Sequence, residues 1–226
     1  WGFLMAYRPM IYSDNFEFVK LFSGIINKYL YGGYYAAIPI DIKELTMEHH
    51  KDAERQGFVR IMMSGQIDHK LYATYLYNQA QCYSVLEKYG LHNSLFRDTP
   101  NLLRTEHILY DFNSFGIETP KITESTKQYI DHIESIQDEA MKLYAHIYVR
   151  HMGDLSGGQM IMKRTPGPNR YYKFKHKEVG DYKRIVKETI NTYLNVYEHS
   201  VLPEAKFCFQ SATNLFKEMK ELHDLG

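Results

Sequence analysis

Between Tyr144 and Arg164 the chain reads YAHIYVRHMGDLSGGQMIMKR, a helical pattern with glycines set into it. Tyr144, Ala145, Tyr148, Met152 and Leu155, with Met141 just ahead, recur at spacings of mostly three and four, which predicts an amphipathic helix with one apolar face. Gly153, Gly157 and Gly158 each cost about 1 kcal/mol against alanine in a helix interior, so their presence needs a reason. Glycine has no side chain: Gly153 and Gly157, one turn apart, let a flat ligand lie directly against the backbone, though small residues equally serve close helix packing. The Gly157-Gly158 pair predicts a kink. Arg150 and Asp154, four residues apart, place a cation and a carboxylate beside the glycine face; on a solvated helix the same spacing is merely a surface ion pair.

The rest of the chain reads as all-α, in one domain large enough for a full core at 226 residues. From Ile42 a pattern of Ile42, Leu45, Met47, His50, Ala53 and Glu54 predicts a helix with Gly57 as its break. A long tyrosine-rich helix follows over Leu71 to Tyr89, and Pro100 and the Gly116 to Pro120 stretch punctuate shorter elements before a helix starting near Thr126. After the glycine-bearing helix come a loop at Thr165-Pro166-Gly167-Pro168-Asn169 and an aromatic segment, Tyr171 to Phe174. Helical patterns over about Asp181 to Tyr197 and Pro203 to His223 close the chain. No period-2 strand pattern and no internal repeat stands against the all-α class. Residues 1–40 are aromatic, with a short amphipathic pattern over Asn15 to Leu30; they are expected to pack as an arm on a domain of residues 41–226.

Lys+Arg and Asp+Glu are both 27, so there is no general electrostatic case for nucleic acid or an anionic membrane. The two cysteines, Cys82 and Cys208, form no C-x-x-C and suit a reducing compartment. No apolar run approaches a membrane span and no signal peptide is legible, so a soluble location without a membrane anchor, cytoplasmic or plastid-type, is expected. Paired Glu-x-x-His motifs, a Gly-x-Ser-x-Gly elbow, a phosphate loop and His-Glu-x-x-His are all missing, which removes di-iron bundles, hydrolases, P-loop enzymes and zincins.

The run Gly153-Asp154-Leu155-Ser156-Gly157-Gly158-Gln159, preceded by Tyr148 and Arg150, resembles the distal-helix signature of the heme oxygenases. Glu44-x-Thr46-x-x-x-His50-x-x-Ala53-Glu54 is similar to that family's proximal helix, in a register that puts the iron-binding histidine at His50 rather than at His49, which points about 100° away on a helix. Glu54, one turn on, is placed to accept the second ring N–H and fix the tautomer. Tyr182-Lys183-x-x-x-Lys187-x-x-Ile190-Asn191 resembles the family's basic pair for the heme propionates, with lysine where arginine is common at the second place; Lys43 is a weaker candidate for the same task. Glu204-Ala205-Lys206-x-x-Phe209 also fits, with Phe209 as a pocket wall.

The resemblance covers roughly Ile42 to the C-terminus and is nearer to the soluble cyanobacterial, algal and plastid branch. The chain departs from it at Val149, His151 and Met152, where threonine, tyrosine and leucine are more usual, and at Ala212 in place of asparagine. It implies an all-α fold with heme b, both substrate and cofactor, between the His50 and glycine-bearing helices. The implied reaction uses O2 and an external electron donor, reduced ferredoxin or another reductase, and yields biliverdin, of the family's usual α isomer, with iron and carbon monoxide. Gly153, Gly157 and Gly158 would lie against the heme, Tyr148 would join its binding residues, and Asp154 with Arg150 would run the proton network. A heme carrier or sensor without turnover is the alternative on the same fold.

Overall fold

In the computed structural model, residues 41–226 are described; the packing arm and short helix expected in residues 1–40 lie outside them. By compactness the chain separates into two units, Trp1–Ile40 and Asp41–Gly226. The second unit is helical, and no strand occurs among the described residues. Its helices are α1 (Ile42–Leu45), α2 (Met47–Glu54), α3 (Gly57–Ser64), α4 (His69–His92), α5 (Thr105–Asn113), α6 (Glu124–Ser135), α7 (Ala140–Leu155), α8 (Gly158–Ile161) and α9 (His176–Leu225), with 3-10 turns at Pro100–Leu102 and Arg170–Tyr172.

Local chemistry sets these boundaries. Asp41, Asp68 and Thr123 accept backbone N–H bonds from Lys43, Leu71 and Thr126, capping α1, α4 and α6. Gly65 takes the left-handed conformation (φ 75°) that ends α3. Gly57 proves to be the first residue of α3; the break falls just before it, where Gln56 is extended, so the glycine starts a helix instead of stopping one. The two late helical patterns are two helices in tandem within α9: the first begins at His176, before the expected Asp181, and they meet at a kink where Tyr197 leaves helical space (φ −132°, ψ 39°), with Pro203 shortly after.

The long α9 packs along α7 and also against α2, α3 and α6, while α4 packs against α5, α6 and α7. The His50 helix and the glycine helix are therefore held by a common neighbour. The core beneath them is unusually rich in tyrosine: Tyr72, Tyr83, Tyr129 and Tyr172 are among its largest fully buried side chains. Buried carboxylates fasten the connections. Asp111 accepts the backbone N–H groups of Arg170 (2.9 Å) and Tyr171 (2.8 Å), and Glu87 accepts those of Arg104 and Thr105 at the start of α5.

Burial pushes the imidazoles of His146 and His151 down to about 4. Both stay neutral in the fold where the unfolded chain, near 6.5, takes up protons. Their contribution is present above pH 6.5 and is lost as pH falls from about 6.5 to about 4. Urea midpoints measured across that window should decline on acidification, and His151→Phe should flatten the decline.

Candidate active site

The helix predicted over Tyr144 to Arg164 is interrupted beside Gly157-Gly158, where the kink was expected. α7 ends at Leu155, Ser156 leaves helical space (φ −118°, ψ −86°) and α8 restarts at Gly158. Gln159 Nε2 staples the break, donating to the carbonyls of Asp154 and Tyr172, each at 2.9 Å. The glycines divide by role. A Cβ on Gly153 would meet nothing within 4 Å, and one on Gly157 only the Gly153 carbonyl, at 3.8 Å. Gly153 is exposed although Asp154 beside it is buried, so this turn presents bare backbone. Gly158 is different: a Cβ there would lie 2.5 Å from the ring of buried Tyr172. Its expected place against a ligand is taken by that tyrosine, and glycine here serves close packing.

Arg150 and Asp154 are both buried, and the structure does not pair them with each other as the spacing suggested. Asp154 Oδ2 accepts a 2.6 Å bond from the Tyr83 hydroxyl, which itself accepts from Tyr171 at 3.3 Å. Arg150 Nη1 donates to Gln79 Oε1 (2.9 Å), and Gln79 Nε2 donates to the Tyr75 hydroxyl (2.9 Å). The guanidinium lies 4.0 Å above the Tyr129 ring and 5.4 Å from that of Tyr83, so π-faces take the place of a counter-ion. Burial raises the Asp154 carboxyl to about 7 against the pull of the Tyr83 and Tyr171 hydroxyls and the charges of Arg104 and Arg150. Near neutral pH it exists in both protonation states.

On α2, His50 is 48% exposed at its side chain, and its Nδ1 faces Glu54 Oε2 at 3.5 Å. Its Nε2 has no partner among the described residues, and the ring meets Phe209 of α9 edge to face at 5.8 Å. The sequence placed these residues in three roles, and the fold gathers them: an accessible imidazole nitrogen, a carboxylate behind it and an aromatic wall beside it. His49, half-buried, makes no such contact with Phe209 or Glu54.

The basic residues are placed less simply. Lys187 Nζ lies 2.8 Å from Asp41 Oδ2, so the cation expected to meet a ligand carboxylate is already engaged. Burial would raise the Asp41 carboxyl, but Lys187 and the Lys43 N–H more than offset this and hold it below the usual range. Tyr148 is buried, and burial, with the charge of Asp41, pushes its hydroxyl up to about 12. Lys183 is half-buried and Lys43 exposed, neither with an ion-pair partner among the described residues.

A family model described as heme oxygenase matches residues 37–218. The chain belongs to the heme oxygenase family of enzymes. It is 28% identical over 205 residues to a heme oxygenase of Guillardia theta, spanning 81% of this chain and 86% of that one. To heme oxygenase 2 of Rattus norvegicus it is 28% identical over 206 residues, 80% of this chain but only 64% of that longer protein. The solved heme oxygenase of Leptospira interrogans superposes with a TM-score of 0.69 at 28% identity, covering 78% of this chain and 97% of that chain.

At this candidate site, Tyr83, Gln79, Tyr171 and Asp41 escaped the sequence reading. Tyr72, Tyr75, Gln79 and Tyr83 recur on α4 at helical spacing, so a polar stripe was legible there; what it faced was not. Asp41 is visible only as a helix cap. The two kinds of glycine separate by stability. Gly153→Ala should leave the protein as stable or up to about 1 kcal/mol more so, through helix propensity. Gly158→Ala should cost about 1–3 kcal/mol through overpacking against Tyr172, both read from urea midpoints at constant m.

Proposed function

We propose that this heme oxygenase family member cleaves heme to biliverdin, Fe2+ and carbon monoxide, using O2 and an external reductant. The observation that carries the reading is the adjacency of bare helix backbone at Gly153 and a buried carboxylate, Asp154, poised near pH 7. An exposed glycine turn admits a flat ring system, and the titrating group is the next residue. A carrier needs the first feature and has no use for the second.

Each residue then has a task. His50 would hold the heme iron through Nε2, and Glu54 would accept from the other ring nitrogen. Phe209 would wall the ring edge beside His50. Lys183, Lys43, Tyr148 and Lys187 would receive the propionates; Lys187 can do so only by exchanging Asp41 for the ligand carboxylate, and as a lysine it offers a point charge instead of a fork. Bound heme supplies the redox chemistry, being at once the cofactor that activates O2 and the substrate oxidised at a meso carbon. The Gly153 and Gly157 backbone would restrict the space beside the macrocycle and so favour one meso edge, the basis for expecting the α isomer. Asp154 would deliver a proton to the oxygen side and recover it through Tyr83 and Tyr171, while Arg150, fixed by Gln79 and the Tyr129 face, would keep the network oriented. Reduced ferredoxin is the donor to test first, and two free buried cysteines favour a reducing compartment. No helix of the described residues is long and apolar enough to cross a membrane.

Titration with hemin, followed by ferredoxin, its reductase and NADPH in air, tests the reading through the Soret band. The wild-type complex should form one to one and decay into biliverdin absorption, at a rate that falls as pH rises through about 7. Asp154→Ala should still bind hemin but form biliverdin about 100-fold more slowly or worse. Normal turnover by that variant would remove Asp154 from the mechanism. His50→Ala should lose the histidine-ligated spectrum, recovered by added imidazole. A wild-type complex that never decays, even with ascorbate, would make the protein a heme carrier.

A further inference from the structure

Three donor atoms from three helices meet one helical turn from Arg150, at residues to which the heme reading gives no role. His132 Nε2 of α6 lies 2.6 Å, and His146 Nε2 of α7 3.0 Å, from one and the same carboxylate oxygen, Glu204 Oε2 of α9. All three atoms fall within 4.8 Å of one another. His146 is completely buried, whereas the His132 side chain is 26% exposed, so the cluster opens to solvent on one side. Phe207 packs on the His132 ring at 3.9 Å and Tyr129 meets His146 edge-on at 5.4 Å.

We propose that His132, His146 and Glu204 form a second metal site, for a divalent first-row cation of the zinc class, separate from the heme. Two imidazoles and a carboxylate are the donor set such ions take when a further position is left to water. A tetrahedral ion with ligands at about 2.0–2.1 Å spaces them about 3.4 Å apart. The observed 2.6 and 3.0 Å are shorter than that spacing, so a small retreat of the Glu204 carboxylate admits the ion.

The protonation states agree with the geometry. Metals bind neutral imidazole and ionised carboxylate. Glu204 Oε2 faces both ring nitrogens at hydrogen-bond distance, the arrangement of a carboxylate acceptor between two imidazole N–H donors. Coordination through Nε2 moves the proton on each ring to Nδ1; the buried Nδ1 of His146 has no hydrogen-bond partner among the described residues in either tautomer. An ion here would tie α6, α7 and α9 together one turn ahead of Arg150.

The test uses the full, untagged, heme-free chain stripped with EDTA, then dialysed against ZnCl2 with elemental analysis and titrated with CoCl2. Wild type and His92→Ala, altered at an exposed histidine elsewhere, should take up one more equivalent of Zn2+ than His132→Ala or Glu204→Gln. Affinity at that equivalent should fall at least tenfold in the latter two. Co2+ should give the intense visible bands of a four-coordinate N/O site in wild type alone of the three, and Zn2+ should raise only its thermal midpoint and that of His92→Ala. His132 is partly exposed and Glu204→Gln is isosteric, so far-UV circular dichroism should show all variants folded. Equal uptake by all four proteins, or none by wild type, would overturn the site and leave the cluster as a hydrogen-bonded triad.

Discussion

Keeping Asp154 in the core is the constraint around which the surrounding structure is arranged. An ionised carboxylate removed from water costs several kcal/mol unless hydrogen bonds and charges compensate. Compensation here is deliberately incomplete in effect: Tyr83 donates, Tyr171 stands behind it, and Arg150 and Arg104 act through space, yet burial still lifts the carboxyl to about 7. Full neutralisation by a contacting arginine would have held it low and left it inert as a proton donor. Directing Arg150 instead to Gln79 and the Tyr129 face is what leaves Asp154 free to titrate.

That arrangement depends on parts far apart in the chain. Tyr83 and Gln79 come from the middle of α4, and Tyr171 from a 3-10 turn whose N–H groups are fixed by Asp111 of α5. The break at Ser156 lets the chain turn away after Asp154, and Gln159 links the break to the same tyrosine turn. The close fit of Gly158 against Tyr172 is part of this fastening, while Gly153 leaves backbone open on the other side. One short sequence run therefore does two opposite things with the same residue type.

The Asp41–Lys187 pair shows how a site can be altered by a residue outside its motif. Lysines spaced for ligand carboxylates are legible as a pattern on α9, but a charge is available only if nothing else holds it. Asp41 enters from the start of the described domain, and its carboxylate also caps α1, so its position is settled by local helix geometry before Lys187 reaches it.

Helical periodicity, glycine placement and the His50–Glu54 spacing were determined by sequence alone, because each depends on neighbours within one or two turns. So were the all-α class and the family. Tertiary structure alone decided that Gly158 packs while Gly153 stays open, that Arg150 turns to Gln79 and not to Asp154, that Lys187 is engaged, and that His132, His146 and Glu204 converge. The contacts behind these outcomes join segments 14 to 146 residues apart in sequence, set by how the helices dock, and no local pattern encodes that docking.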